Sequence, residues 1–482
     1  MDTLLFDIKK NVEEYPDDVA VIDNGREIAN FEMNTIVRKY QLYLLNLGVK
    51  AKNIVVISGT NSVEYIAFLL AIWRINAIAF PLDSNIPIRE LKNILRNNFV
   101  HFLICNMKKY EKLNASNITL IDISMRQTIN LDDKINIDKN IDDNIDEDKI
   151  SLLVHTSGSS AESKIVALSL SNLYYSAMGV IESLNLQRED RWLLTLPLFH
   201  VGGIGGLIRC FIQGAKVVIY KKNTELINPI IKNRITHLSL VSTQLYRLIE
   251  EKKKIEKKNT ICGLKVILLG GSAVSDNLIK EALEQNFPIF TSYGSSEMSS
   301  TVSIKEQSVK NKTYCSSGCL LHYRNILIKK NNEILLKGQT LFKGYLKGKE
   351  LTLPLNHNGW FQTGDIGYLN DNNELVITGR KDNMFISGGE NIQPEEIERV
   401  LLENPAIINA KVLPINDDKF GFRPIAFIKT IDGNMPALGL LVSDLSEKLQ
   451  KFKIPDSFYL WPKDDLNKLK LLKKDFLSNM NN

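Results

Sequence analysis

The chain has 482 residues, 44% of them hydrophobic and 24% charged, more than one hydrophobic core commonly supports, so two or more domains are expected. Its net charge of +5 is scattered among acids, which excludes the dense basic tract that binding to a nucleic-acid backbone needs. Five cysteines make no even disulfide framework and point to a reducing compartment.

The first ten residues mix acid, base and apolar side chains and do not read as a signal peptide. Residues 54–58 read as a strand followed by a helical run. The long apolar stretch 65–82 is cut by Arg74 and Asn76 and contains Pro81, too broken for a bilayer span and better read as a buried helix followed by a strand over 77–82. A helix is expected over 88–97. This alternation predicts an α/β fold, with parallel-rich βαβ layers in a large N-terminal domain. Residues 124–149 are rich in Asn, Asp and Ile without periodicity and read as a low-complexity spacer. The abundance of Lys, Asn and Ile suggests an AT-rich coding genome.

A strand over 150–154 runs into a hydroxyl-rich loop, Thr156, Ser157, Gly158, Ser159, Ser160, Ala161, Glu162, Ser163 and Lys164. Backbone amides and hydroxyls there can wrap phosphate oxygens, with the lysine adding charge. His200 follows Leu196-Pro197-Leu198-Phe199 and precedes Val201-Gly202-Gly203; a lone histidine is as often structural as functional. Two further apolar runs end in Gly270-Gly271-Ser272 and in Ser292-Tyr293-Gly294-Ser295-Ser296-Glu297. Small residues at strand ends leave room for a flat base, and Tyr293 offers a ring to stack on it. Cys315, Cys319 and His322 lack a fourth suitably spaced ligand and read as a turn and strand, not a zinc site.

The most informative stretch carries Asp365 and Arg380 either side of a hairpin loop at Asn370-Asp371-Asn372-Asn373, then Asp382, then Gly388-Gly389-Glu390, and a helix opened by Pro394 and two glutamates. A carboxylate accepts two hydrogen bonds from a vicinal diol, and a guanidinium donates in a planar fork. The glycines tolerate positive φ, and proline suits a first helical turn. Beyond it, a helix over 395–403, strands over 408–413 and 424–430 and a helix near 442–453 read as a small α+β domain.

In order and spacing these motifs resemble the family of AMP-forming acyl-CoA synthetases, adenylation domains and luciferases, over nearly the whole chain. The resemblance implies an adenylation domain over 1–381 and a small mobile domain over 382–482, turning about Asp382. It implies ATP, magnesium and coenzyme A as cofactor and co-substrates: Asp365 on the ribose, Arg380 on ribose or phosphate, Glu297 on magnesium, His200 lining the acyl channel, and Gly388, Gly389 and Glu390 closing on the acyl site. The catalytic lysine of the family's Pro-Arg-x-x-x-Gly-Lys pattern falls at Lys468, with Lys463 for the arginine and Asn467 for the glycine. The phosphate loop departs at Ser160, Ala161 and Ser163, where the family carries Thr, Gly and Pro. Within the family the motifs are most similar to o-succinylbenzoate–CoA ligases of menaquinone and phylloquinone synthesis, implying Ser299, Ser300 and Thr301 as donors to the acid. Ligases for fatty or aromatic acids, enzymes loading a carrier protein and a degenerate nucleotide binder are the alternatives. No nucleic acid or membrane insertion is implied; a homo-oligomer is compatible, and the setting is cytoplasm or plastid stroma.

Overall fold

A computed structural model of the chain describes residues 8–110, 113, 117–124, 145–156, 164–221, 224–254, 261–271, 274–311, 314, 316–462 and 476–477. Most of the low-complexity spacer, the phosphate loop from Ser157 to Ser163, Ser272, Cys315, Lys463, Asn467 and Lys468 lie outside the described residues.

Two large sheets carry the N-terminal part. In the eight-stranded sheet, Ile54–Ser58, Ile78–Leu82, Phe102–Cys105 and Thr119–Asp122 pair in parallel, while Ile150–Thr156 turns back on Lys164–Ser169 in an antiparallel hairpin. The nine-stranded sheet has a parallel centre, including His237–Leu240, Val266–Leu269 and Ile289–Ser295, and an antiparallel edge that begins at Ser300–Glu306. The expected βαβ layering is therefore present. Apolar strands covered on both faces bury Val, Ile and Leu without alternation. The helix Val63–Arg74 is buried along its whole length, as the broken apolar run predicts. Trp73 Nε1 ties it to the sheet by donating to the carbonyl of Ser151 at 2.9 Å. No helix among the described residues is long and apolar enough to cross a membrane.

A four-stranded antiparallel sheet follows, containing Phe361–Leu369 and Leu375–Arg380. The loop between these two strands forms as the Asn/Asp run predicts: Asn370 Oδ1 accepts from the amides of Asn372 and Glu374 at 3.0 and 2.9 Å, and Asn373 adopts φ of 58°. Asparagine supports such turns by bonding its own backbone and tolerating the left-handed region.

The last part is a five-stranded sheet with two helices, the expected α+β pattern. Two boundaries differ from the sequence reading. The strand Ile407–Asp417 runs through Pro414, which faces Pro424 in the partner strand, although proline normally argues against a strand interior. The helix expected near 442–453 spans Leu438–Lys448, earlier than the pattern implied. Pro436 precedes the N-cap Ala437, where it interrupts no helical hydrogen bond, and burial of Leu441 and Leu445 fixes the register.

Candidate active site

The site gathers at the ends of parallel strands. Val266–Leu269 and Ile289–Ser295 run side by side, with Leu269 opposite Thr291. Beyond the first, Gly270 lies against the second: a Cβ there would come within 3.0 Å of Ser292 Oγ, which donates to the Leu269 carbonyl at 2.8 Å. Gly271 takes φ of 86°. At Gly294 a Cβ would sit 2.1 Å from the Ser300 carbonyl oxygen, so only glycine lets the chain double back there. The doubling is sharp. Ser296–Met298 forms one 3₁₀ turn, and Ser299 and Ser300 have φ of 57° and 111°, strained for residues with a side chain. Ser176 Oγ holds the turn by donating to the Ser299 carbonyl at 2.7 Å, while Ser299 Oγ donates to that of Thr340 at 2.8 Å.

Asp365 and Arg380 are direct register partners in their hairpin, joined at 2.6 Å. Tyr293 also donates its hydroxyl to the other Asp365 oxygen, at 2.5 Å. Its ring packs with Met298, Val302 and Ile334, so Tyr293 orients the carboxylate as well as standing at the strand end expected to meet the base. Burial pushes the Asp365 carboxyl above its usual range, more than Arg380 and Tyr293 pull it down. Burial also opposes the charge on Arg380, but Asp365 and Asp382 outweigh it and hold the guanidinium protonated. The fixed cation and the 2.6 Å contact favour the ionised pair. Arg380 Nη2 reaches Asp382 at 3.5 Å, and its buried Nε has no partner.

Thr156 and Lys164 face one another across the base of the phosphate-loop hairpin, with Thr156 Oγ1 donating to the Lys164 carbonyl at 3.1 Å. Glu297 Oε1 accepts from the Tyr345 hydroxyl at 2.8 Å. No cluster of three metal-ligating side chains occurs among the described residues. A single carboxylate such as Glu297 would fit magnesium, since that ion is commonly held by one or two carboxylates together with substrate phosphates. The unpartnered buried Ser295 Oγ and Arg380 Nε likewise fit a polar ligand across these strand ends. His200 is exposed, caps the helix Val201–Gln213 and packs on Phe199 with ring centroids 4.3 Å apart. Gly388 and Gly389, with φ of 59° and 91°, form the hairpin tip before Glu390.

The sequence reading did not single out Arg209, which lies beside Thr301. Arg209 is 1% exposed, and no described carboxylate pairs with it. Its Nη2 donates to Thr301 Oγ1 at 3.3 Å, its plane lies 5.4 Å from the Trp192 ring, and Nε has no partner. Burial lowers its pKa to about 10. Gly205, one turn earlier, lets the guanidinium and the Ser300 hydroxyl lie close against the helix: a Cβ there would lie 3.2 Å from Arg209 Nη2 and 3.5 Å from Ser300 Oγ. Behind it Arg324, also buried, donates to the carbonyl and hydroxyl of Ser176, both at 3.1 Å, and is pushed down to about 9 by burial and then by Arg209. A signal was available, because Arg209 is the one charged residue in the apolar, glycine-rich helix Val201–Gln213.

Residues 8–346 match the model of the AMP-binding enzyme family. The chain belongs to that family. Among relatives of this AMP-binding enzyme is the 2-succinylbenzoate–CoA ligase of Oceanobacillus iheyensis, 30% identical over 480 residues, 96% of this chain and 97% of that protein. The o-succinylbenzoate coenzyme A synthetase of Bacillus subtilis, in complex with the acyl-adenylate intermediate, superposes with a TM-score of 0.82 at 26% identity, covering 95% of this chain and 94% of that one. The same Bacillus protein with ATP and magnesium ion gives 0.81, over 95% and 96%.

Proposed function

We propose that this AMP-binding enzyme activates 2-succinylbenzoate with ATP as an acyl adenylate and transfers the acyl group to coenzyme A, a step of menaquinone synthesis. The observation that supports the substrate is Arg209: a buried cation with no counter-ion among the described residues, packed against Gly205 and next to Ser300 and Thr301. A buried charge is tolerated when something pairs with it, and a second carboxylate on the acid supplies the pair. The relatives named for the same reaction support the reading, and their bacterial source favours bacterial cytoplasm over a plastid.

In this reaction one carboxylate oxygen of the acid attacks the α-phosphorus of ATP, and pyrophosphate leaves. The thiol of coenzyme A then attacks the acyl carbon, and AMP leaves. Asp365, steadied on one oxygen by Arg380 and on the other by Tyr293, keeps lone pairs to accept the ribose hydroxyls. Carboxylate and α-phosphate at about 4 Å repel by roughly 4 kcal/mol per charge pair at an effective dielectric near 20. Lys164 and Lys468 supply positive charge against that repulsion, Lys468 at the charge that develops. Glu297 would hold magnesium, which supplies charge neutralisation at the phosphates. Between the half-reactions the small domain turns about Asp382 and carries Gly388 and Gly389 toward the acyl site.

Pyrophosphate release across a panel of acids, with and without coenzyme A, tests this. Selective turnover of 2-succinylbenzoate, reduced about a hundredfold or more by Lys468→Ala, is expected. Preference for a fatty or aromatic acid would overturn the substrate, and ATP binding without pyrophosphate release for any acid would identify a nucleotide binder without turnover.

A further inference from the structure

The chain from Phe342 to Tyr345 laces two parts of the site together. The amide of Phe342 donates to the Glu297 carbonyl, and that of Lys343 to the Ala167 carbonyl, both at 2.8 Å. Tyr345 then pairs with Val166 in the strand that Lys164 begins. From this backbone the Tyr345 side chain makes two more links. Its hydroxyl donates to Glu297 Oε1 at 2.8 Å, and its ring lies 4.8 Å from Lys164 Nζ, within range of a cation–π contact. Phe342 packs edge-on against the ring, centroids 4.8 Å apart, and fixes its plane.

We propose that Tyr345 is a positioning residue that sets the Glu297 carboxylate for magnesium and seats Lys164 for the ATP phosphates, so that metal ligand and phosphate-binding lysine are placed by one side chain. The inference rests on the reading of Glu297 as the magnesium ligand. Its physical ground is that a hydrogen bond to a ligating carboxylate fixes its rotamer, and partners of this kind affect metal affinity about 10- to 100-fold. The hydroxyl acts on the metal, and the ring acts on Lys164.

The two links separate in two variants. Manganese binding in the presence of ATP, followed by the paramagnetic resonance of the free ion, should weaken about tenfold in Tyr345→Phe. Metal-free ATP binding, measured by calorimetry, and the KM for the acid should stay within about twofold. Tyr345→Leu should weaken metal-free ATP binding as well. In a Glu297→Gln background Tyr345→Phe should have no further effect on manganese, because contacts acting through one group are not additive. Tyr345→Phe with wild-type manganese affinity, or with the same loss in the Glu297→Gln background, would overturn the proposal and leave Tyr345 a packing residue. A wild-type protein that binds no manganese with ATP would overturn both this inference and the assignment of Glu297, whereas wild-type turnover of an unexpected acid would leave the inference standing.

Discussion

Two charged clusters of the site are built on opposite plans. Around Asp365 the charge is met from within the protein, by the Arg380 fork on one oxygen and the Tyr293 hydroxyl on the other. Around Arg209 two guanidiniums are buried together with hydroxyls, carbonyls and an indole, and no described carboxylate bonds either, Glu182 acting on Arg324 only at a distance. In the first cluster both oxygens of the carboxylate are oriented by the protein, with Arg380 Nε left without a partner. The second has no counter-charge among the described residues, and in the proposed function the acid substrate supplies it.

The contrast is broken most directly at Arg209. Truncating one partner of a buried charge pair commonly costs about 2–5 kcal/mol, so Arg209→Met should lower kcat/KM for 2-succinylbenzoate about 30-fold to several thousandfold. The same variant should leave a keto acid without the second carboxylate nearly unaffected, and should keep or raise the unfolding midpoint, because an unpaired buried cation is removed. A loss of stability in Arg209→Met would show that the cation is satisfied inside the fold.

Next in size is a pH effect beside that cluster. His237 is fully buried, stacks on Trp192 with centroids 5.5 Å apart, and burial depresses its pKa from 6.5 to about 4, against the pull of Asp190. The unfolded chain therefore takes up the proton first. Stability is complete above the unfolded value and should fall by about 3 kcal/mol as pH drops from 6.5 to 4. Urea unfolding should show this fall in the wild type and a flatter profile in His237→Phe.

The Asp365 cluster should respond less in stability and more in nucleotide affinity. Asp365→Asn should weaken ATP binding while costing about 1–2 kcal/mol of stability, since Arg380 is partly exposed and can turn to water. Tyr293→Phe should cost about 1 kcal/mol and move ATP affinity in the same direction. The smallest change is expected from Thr301→Val, which removes one hydroxyl beside Arg209. A net hydrogen-bond value near 1 kcal/mol corresponds to about fivefold in kcat/KM for 2-succinylbenzoate, with ATP binding unchanged.

How much of this was legible in the sequence varies by cluster. Asp365 and Arg380 could be read together because they flank one hairpin, and an antiparallel ladder with an Asn/Asp turn brings such residues face to face. Ser292, Tyr293, Gly294 and Glu297 were legible because parallel strands deliver their ends to one edge. Arg209 was not read, since its significance lies in what fails to surround it. Burial without a counter-ion is a property of elements about a hundred residues apart, the helix Val201–Gln213 and the strand Ser300–Glu306. Tyr345 escaped for a similar reason, being joined to Glu297 across 48 residues.

The sequence alone determined the layered α/β pattern, the family, and the local motifs that bring Asp365 to Arg380 and residues 292–297 to a strand end, because apolar periodicity, turn chemistry and small residues at strand ends act over a few positions. Only the tertiary structure decided which charges are answered inside the protein and which are left for a ligand, because desolvation and pairing depend on every element that packs around a charged group.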